Sequence, residues 1–411
     1  MRGMAVGSQA GAAEATEVAV RIVDCDVHPF GDAREIAEYV SEPWRSAFYR
    51  QHVNEVELNA SLYTPPDKTT RTDSVPPGGG IPGGDPAFIE RQLLQEAGVD
   101  FANLIVLQPK IKMVNPEFET ALFAGHNAWL DATWLGKYNW HGRYRGSLRV
   151  SPYDSAAAVR EIERWAGHPY FSQVFIAPEA SAPFGQPQFE PVFAAAARHG
   201  LPVAMHVIRH AGMRNLTPVG FASYHLEIMA EWPLYFMSHL TSLVFEGVLE
   251  RHPALRIVCV EGGFSWAAPL LWRLDNQWEA LKSQVPHVKR RPSESIREQV
   301  RMTTQPLDEP EPHRNLVQLL EWMGADRMLM FSSDYPHYDY DDPGWVLPRL
   351  PKSQRDRILF ENAVELYHLP HTRPLDRLDA GRATLGTGAG AAFTQAARLG
   401  ERPEYHAEHA D

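Results

Sequence analysis

The chain has 411 residues, of which 44% are hydrophobic and 22% are charged. These proportions are typical of globular proteins and exclude a largely disordered chain. The formal net charge of −12 argues against a nucleic-acid backbone or an anionic membrane surface as the partner. No window approaches the roughly 18 apolar residues that a membrane-spanning helix requires, so no membrane partner is expected.

The two ends of the chain are predicted to lie outside the folded unit. Residues 1–18 are small and polar and predict a flexible tail, and residues 371–411 predict a C-terminal extension that is either weakly ordered or packed on another surface. Acidic residues interrupt the N-terminal stretch, which therefore lacks the apolar region of a signal peptide. Cys25 and Cys259 lie in apolar runs and are expected to be buried thiols. We therefore expect a cytoplasmic protein with one domain at 19–370.

The first part of this domain combines a strand, a short helix and a long loop. The strand is predicted at about 19–28 and is followed by a helical pattern at 33–44. Residues 50–86 contain too many Pro and Gly residues for a helix or a central strand. This stretch predicts an inserted loop, which is either a lid or disordered. Asp85-Pro86 then predicts the start of a helix that ends at Gly98.

Strands and helices alternate along the rest of the domain. Most of the strands are continuous apolar runs, as expected for parallel strands that are buried on both faces. Eight strands that alternate with helices predict an α/β fold of the (β/α)8 TIM-barrel type. The alternative is a doubly wound open sheet, which would usually carry a Gly-rich turn after its first strand. The later strands are predicted at 102–109, 143–152, 172–178, 201–206, 255–263, 300–306 and 327–336, and the helices between and after them at 117–137, 155–167, 191–200, 222–251, 266–282, 315–324 and 354–367.

Acidic residues and histidines stand where several of the predicted strands end. In a (β/α)8 barrel, side chains can converge when they project from the C-terminal ends of the strands. Asp26 and His28 are two residues apart and therefore face the same side of the first strand. His206, Glu261 and Asp334 end the fifth, sixth and eighth strands. A charged group beside a buried core is costly unless it is paired or metal-bound, so this set predicts a mononuclear metal site.

Each of these residues also has a structural interpretation when it is taken alone. A single histidine at a strand end is commonly a hydrogen-bonded structural residue, and an aspartate after a strand commonly forms a turn or caps a helix. Asp24 is assigned such a structural role. The coincidence of two imidazoles and two carboxylates at strands one, five and eight is what favours the metal site.

The same residues resemble motifs of the amidohydrolase superfamily, in the branch of aminocarboxymuconate semialdehyde decarboxylase and related aromatic-acid decarboxylases. The resemblance spans roughly residues 20–368 and is especially close at 245–266. It implies the (β/α)8 fold and one divalent metal ion. The motifs that carry it are the Asp26-x-His28 pair, His206, the Glu-Gly-Gly segment at 261–263 and the SSDYPH run at 332–337.

The resemblance implies that Asp26, His28, His206 and Asp334 hold the metal, which is usually zinc and in some decarboxylases manganese. Zinc is therefore the first expectation and manganese the alternative. The decarboxylase that names the branch has histidines where this chain has Asp26 and Glu261. The additional oxygen ligands shift the preference somewhat toward manganese or magnesium.

The resemblance also implies the chemistry, with a small carboxylic acid or a related molecule as the substrate. The first hypothesis is non-oxidative decarboxylation of an unsaturated or aromatic acid, in which Asp334 or Glu261 protonates the carbon that loses CO2. The alternative is hydrolysis of an amide, lactone or C–C bond, in which the same residues accept a proton from a metal-activated water. A metal-free binding protein with this fold is a third hypothesis.

Three more histidines are predicted to contact the substrate or to support the metal ligands. His210 follows His206 by four residues, and His337 follows Asp334 closely enough to orient it. His239 falls in a predicted helix, where packing is an equally good explanation. Relatives are commonly dimers, so a homodimer is expected.

Overall fold

The computed structural model describes residues 20–51, 70–107, 115–208, 223–347 and 349–372. Within these residues, eight parallel strands form one sheet in sequential order, which confirms the predicted (β/α)8 barrel. The tail predicted at 1–18, residues 52–69 of the predicted loop and the extension beyond residue 372 lie outside the described residues. The strands are β1 Val23–Val27, β2 Phe101–Leu104, β3 Tyr144–Arg149, β4 Phe171–Ile176, β5 Val203–His206, β6 Ile257–Val260, β7 Val300–Thr303 and β8 Leu329–Met330.

Helices follow the strands, and several begin at the capping residues that the sequence indicates. The Asp85 side chain accepts hydrogen bonds from the backbone N–H groups of the first helical turn, as Asn115 and Asp154 do for later helices. No helix among the described residues is long and apolar enough to cross a bilayer. The α-helices are α1 Ala33–Ala37, α2 Trp44–Gln51, α3 Pro86–Ile89, α4 Pro116–Leu130, α5 Ser155–Trp165, α6 Glu190–Arg198, α7 His225–Phe245, α8 Val248–Arg251, α9 Ala267–Leu281, α10 Pro292–Gln299, α11 Arg314–Met323, α12 Ala325–Met328, α13 Lys352–Asp356 and α14 Asn362–Tyr367, with π-helical segments at Glu90–Glu96, Asp131–Lys137 and Arg357–Glu361 and 3-10 turns at Thr72–Ser74, Pro187–Phe189 and Lys282–Gln284.

Several helices differ from the predicted ones. The pattern at 33–44 forms only α1 and the first residue of α2, and Pro43, which lacks the N–H that a helix interior needs, rules out one continuous helix across both. The pattern at 222–251 is divided by Gly247, which adopts a φ of 77°. Helices α10 and α12 were not predicted, and the buried face of α10 is largely small and polar, so it lacks the apolar residues that mark the other helices.

Backbone hydrogen bonds join the first and last strands and close the sheet. The Cys25 N–H donates to the Phe331 carbonyl at 3.0 Å, and beyond the regular strands the Asp334 N–H donates to the Asp26 carbonyl at 3.1 Å. These bonds exclude the open doubly wound sheet, whose edge strands would not meet. They also bring the residues that follow β8 beside the end of β1.

Asp24 strengthens this junction with its side chain. One carboxylate oxygen accepts hydrogen bonds from the Ser333 N–H at 3.0 Å and the Asp26 N–H at 3.2 Å. The other accepts from the Ser333 hydroxyl at 2.5 Å. Burial raises the pKa of Asp24 to about 7, and the hydrogen bonds from Ser333 oppose that shift. Asp24 therefore ties β1 to the segment that carries Asp334.

The described part of the inserted loop, residues 70–86, packs against the end of β1. The Phe30 N–H donates to the Gly83 carbonyl at 2.7 Å. Gly83 has a φ of 78°, and a Cβ atom there would lie 2.7 Å from the His28 carbonyl oxygen. The close approach therefore requires glycine at this position and brings the loop directly over His28.

Replacing Asp24 with alanine is expected to lower the free energy of unfolding by about 2–4 kcal/mol, because two buried donors of Ser333 would lose their acceptor. Urea denaturation followed by circular dichroism measures this loss. Asp275→Ala is the matched control, since the half-buried Asp275 accepts from the Ser293 N–H at 2.9 Å and from the Ser293 hydroxyl at 2.7 Å. The control should lose about 1 kcal/mol. Equal losses would contradict a special role for the β1–β8 junction.

Candidate metal centre

Four buried side chains converge at the C-terminal end of the barrel. Asp26 lies near the end of β1, and His28 directly follows that strand. His206 is the last residue of β5, and Glu261 comes directly after β6. Each offers a ligand atom, and these atoms all lie within 4.8 Å of one another. The Nε2 atom of His206 lies 3.3 Å from Asp26 Oδ1 and 3.2 Å from Glu261 Oε2. A group of this size can surround one cation.

Backbone carbonyl groups set the orientation of both imidazole rings. His28 Nδ1 lies 2.7 Å from the Ile105 carbonyl oxygen, and His206 Nδ1 lies 2.6 Å from the Val207 carbonyl oxygen. Because a carbonyl oxygen can only accept, each Nδ1 is the donor, and the Nε2 of the neutral ring keeps its lone pair. Metal-bound histidines show the same arrangement, in which the second nitrogen donates to a carbonyl or carboxylate.

The nitrogen and oxygen atoms that face one another in this group lack hydrogen-bond donors. Both carboxylate oxygens of Asp26 and the Nε2 atoms of His28 and His206 are buried and, with neutral rings, form no hydrogen bond within the described part of the chain, although carboxylate oxygens lie 2.8 to 3.3 Å from the two nitrogens. A buried polar atom without a partner costs about 1–3 kcal/mol. One divalent cation would satisfy all of them, and imidazole nitrogens with carboxylate oxygens suit zinc or manganese. The residues present therefore fit a single divalent metal ion.

Asp334 and His337 form an adjoining group that shares His28. Asp334 Oδ1 lies 2.8 Å from His28 Nε2 and 2.6 Å from His337 Nδ1. The other carboxylate oxygen accepts a 3.4 Å hydrogen bond from Gln305 Nε2. Glu261 thus belongs to the same compact group as Asp26 and His206, whereas Asp334 contacts that group through His28.

The backbone is strained at both of the later carboxylates. Glu261 and Asp334 each have a φ of 58°, in the left-handed region that costs a non-glycine residue about 1–2 kcal/mol. Gly262 follows in close contact with the ring of Phe236, which a Cβ atom would meet at 2.2 Å. This contact explains one glycine of the Glu-Gly-Gly segment. Strain is thus concentrated where the two carboxylates enter the site.

The two carboxyl groups have opposite pKa shifts in the metal-free structure. Burial raises the pKa of Glu261 well above its ordinary value, and the negative charges of Asp334 and Asp26 add to the increase. Burial also acts to raise the pKa of Asp334, but His337 and His28 outweigh it and bring the pKa below its usual range. Without metal, Glu261 is therefore the protonated carboxyl group and Asp334 the ionised one.

The other predicted histidines differ in position. His337 contacts Asp334 directly, which is the geometry that orienting Asp334 requires. His239 Nε2 donates to the Pro178 carbonyl at 2.6 Å, and its Nδ1 accepts from the Phe184 N–H at 3.1 Å. Backbone atoms thus engage both ring nitrogens of His239, which leaves neither for a metal or a substrate. His210 lies outside the described residues.

Three polar residues at strand ends were missed by the sequence analysis. Arg149 is the last residue of β3, Glu179 lies three residues after β4, and Gln305 lies two residues after β7. Their positions near strand ends are the signal in the sequence that indicates them, as the same positions indicate Asp26 and His206. Arg149 and Gln305 are not of a metal-ligand type, and Glu179 lies three residues beyond β4, so a pattern of ligands at strand ends does not include them.

Replacing His206 with alanine is expected to remove the bound metal, because it deletes an imidazole nitrogen from the centre of the group. Metal content per protein chain, measured after dialysis, tests this expectation. His239→Ala is the matched control, since it also removes a buried histidine but should keep the metal. Circular dichroism should show folded protein in both variants. Metal retention in folded His206→Ala would contradict the assignment.

Comparison with solved structures shows that the fold is shared with known enzymes. The 5-carboxyvanillate decarboxylase of Sphingomonas paucimobilis is 21% identical with a TM-score of 0.61, and the match covers 86% of this chain and 100% of that chain. An amidohydrolase of Mycobacterium avium subsp. paratuberculosis K-10 is 20% identical with a TM-score of 0.63, over 86% and 99% of the two chains.

A third similar structure contains a metal ion. It is a dihydroxybenzoic acid decarboxylase of Polaromonas sp. JS666 with bound manganese and the inhibitor 2-nitroresorcinol. Its identity is 17% and its TM-score 0.56, over 87% of this chain and 99% of that chain. At sequence identities of 17% to 21%, the similarity to these three structures establishes only the fold.

Family membership comes from the sequence itself. No curated protein matches the chain. A family model described as amidohydrolase, however, matches residues 23–369, which include all eight strands and every described residue of the candidate site. The chain therefore belongs to the amidohydrolase family.

Proposed function

We propose that the chain is a metal-dependent enzyme that removes CO2 from an aromatic or unsaturated carboxylic acid without an oxidant. The observation that carries the proposal is the set of buried, unsatisfied ligand atoms of Asp26, His28 and His206. Family membership supports it. The fold likeness to a 5-carboxyvanillate decarboxylase and a dihydroxybenzoic acid decarboxylase supports the choice of decarboxylation.

The proposed ligands are Asp26, His28 and His206, with Asp334 or Glu261 completing the set. When bound, a divalent cation supplies positive charge that binds a carboxylate and stabilises developing negative charge. Carboxylate-rich donor sets suit manganese better than sets of histidines do. Manganese is also the metal bound in the Polaromonas structure. We therefore propose manganese ahead of zinc, which was the first expectation from the resemblance.

The chain's own carboxyl groups are proposed to transfer the proton that replaces CO2 on the substrate. Asp334 is held by His337 on one oxygen and by Gln305 on the other, so it need not reorient during the reaction. Glu261 reaches the same group of atoms from the His206 side. One of these two carboxyl groups delivers the proton to carbon, and the other maintains the charge and geometry around the ligands.

We also propose that the inserted loop forms a lid over the site in the single domain at 19–370. Residues 70–86 contact the backbone of His28 and Phe30 and lie against the residues that follow β8, where the Arg71 N–H donates to the Pro336 carbonyl at 3.0 Å. These contacts support the interpretation of the inserted loop as a cover that limits access of water to the site.

Hydrolysis of an amide, lactone or C–C bond is the second candidate function. The family model that matches the chain is described as amidohydrolase, which favours it. In hydrolysis Asp334 or Glu261 would accept a proton from the attacking water, whereas in decarboxylation the same residues would donate one. The residues of the site thus serve both reactions, and the substrate decides between them.

Substitution of the two carboxyl groups is expected to separate their roles. Asp334→Asn should lower kcat by about 10²–10⁴-fold, the usual contribution of a proton-transferring group. Glu261→Gln should also lose turnover but keep the metal, because Asp26, His28 and His206 remain as three protein ligands. Metal content and kcat are measured for both. Loss of metal from Glu261→Gln would make it a ligand, and an active Asp334→Asn would contradict the proposed scheme.

The reaction itself is tested with manganese-loaded protein and a panel of hydroxybenzoates and related acids. We expect release of CO2 that requires the metal and is absent from His206→Ala. Turnover of an ester or lactone, with no CO2 released across the panel, would replace decarboxylation with hydrolysis. A protein that binds no divalent ion and keeps its stability in chelator would overturn both functions.

A further inference from the structure

Three arginines at the N-terminal ends of barrel strands share one local geometry. Arg145 and Arg301 are the second residues of β3 and β7, and Arg256 directly precedes β6. In each of them the Nη1 atom donates to the carbonyl of the preceding residue and to the carbonyl three residues back, at 2.9 to 3.1 Å. These bonds fix the direction of each guanidinium and occupy only one of its three nitrogens.

Arg301 is a buried cation without a carboxylate partner. It is only 9% exposed, and its Nε and Nη2 atoms form no hydrogen bond within the described part of the chain. Glu365 attracts it at longer range, but both oxygens of Glu365 accept from the guanidinium of Arg357, at 2.5 and 3.1 Å. A buried charge of this kind is unfavourable unless it is paired.

Other cations stand near Arg301. Burial lowers the pKa of Arg301 to about 10, and the positive charges of Arg327 and Arg256 add to the decrease. Among the described residues, Arg256 donates only to its two carbonyls, and the Arg327 side chain forms no hydrogen bond or ion pair. Glu298 interacts with both at longer range, but it accepts a 2.5 Å hydrogen bond from Arg290. Three guanidinium groups are therefore left without a directly bonded carboxylate.

These three arginines come from neighbouring strands. β6 and β7 pair in parallel with Val258 opposite Arg301, and Arg256, two residues before Val258, therefore faces the same side of the sheet as Arg301. Arg327 stands two residues before β8, which pairs with β7. The group lies where these strands begin, whereas the candidate metal ligands stand where strands end. The two groups are thus at opposite ends of the barrel.

A doubly charged oxyanion suits this group better than a carboxylate does. A guanidinium presents parallel N–H donors that match the oxygens of a phosphate group. A phosphoryl group carries up to two negative charges and three acceptor oxygens, so several guanidiniums can bind it at once. A carboxylate has one charge and two oxygens. The chain as a whole has a net charge of −12, so this concentration of positive charge is a local feature.

We propose that Arg256, Arg301 and Arg327 form a binding site for a phosphoryl dianion, either inorganic phosphate or a phosphate monoester, at the N-terminal end of the barrel. The buried Arg301 would form the base of the site through its Nε and Nη2 atoms. The half-buried Arg256 and the exposed Arg327 would contact the anion from the solvent side. The anion would offset the mutual repulsion of the three cations. This site is separate from the proposed reaction and does not depend on it.

Titration calorimetry on the manganese-loaded full chain, at constant ionic strength, tests the site with inorganic phosphate. We expect saturable binding of one phosphate per chain. Arg301→Gln and Arg327→Gln should each weaken the binding at least about tenfold, because each removes a charge-assisted hydrogen bond. Glycerol 3-phosphate is the second probe. Binding of both probes supports a site for phosphate monoesters, and binding of phosphate alone supports a site for the free ion.

Arg145→Gln is the matched control. Arg145 is held by the same pair of carbonyl bonds, but no arginine among the described residues shifts its pKa, which burial lowers to about 10. This variant should bind phosphate as tightly as the wild type. His206→Ala should also keep phosphate binding, which separates the site from the metal ion. Thermal melting checks that each variant is folded, and the exposed Arg327 provides the test if Arg301→Gln does not fold.

Three outcomes would overturn the site. Phosphate stabilises many proteins without binding to them, so an equal rise in melting temperature in wild type, Arg301→Gln and Arg327→Gln, with no saturation in calorimetry, would contradict it. Loss of binding in His206→Ala would assign the phosphate to the metal centre. An equal loss of affinity in Arg145→Gln and Arg301→Gln would show a general effect of charge rather than a site.

Discussion

The hydrogen bonds between Asp24 and Ser333 hold together the two chain segments on which the candidate metal centre depends. Regular β-strand pairing can contribute little to the junction of β1 and β8, because β8 has only two residues. The Asp24 carboxylate, with the backbone bonds around it, continues the junction past the end of β8. Asp26 stands two residues beyond Asp24, and Asp334 directly follows Ser333. A change in this junction would therefore move ligand atoms from both strands.

The metal centre combines rigid supports with locally unfavourable features. Carbonyl groups fix the imidazoles of His28 and His206, and the nitrogens that face inward are crowded by carboxylate oxygens, 2.8 Å away for His28 and 3.2 Å away for His206. Glu261 and Asp334 retain a left-handed backbone at the same place. Such features persist only where the surrounding fold overdetermines them, and a bound cation would remove the largest of these costs. Stability and ligand geometry are therefore coupled through the same few atoms.

The barrel end has two chemically distinct halves. The ends of β1, β5, β6 and β8 supply imidazoles and carboxylates, whereas β3 and β4 supply a buried guanidinium and the carboxyl group of Glu179. Phe175 lies between the halves and contacts a residue of each. The shared strand-end position of all these groups follows from the parallel barrel, in which every strand points the same way.

Local pattern was sufficient to predict the eight strands and to place Asp26, His28, His206, Glu261 and Asp334 at their ends, because an apolar run and the polar residue that ends it are adjacent in the sequence. The sequence alone could not show that Glu261 lies closer to Asp26 and His206 than Asp334 does, or that His239 is engaged on both nitrogens. Those outcomes depend on partners distant in the chain, as the 77-residue separation of His28 from its Ile105 acceptor illustrates. Local residue order therefore determined which groups reach the end of the barrel. Only the tertiary structure decided which of them meet, because closure of the sheet and backbone acceptors from other strands set the direction of each side chain.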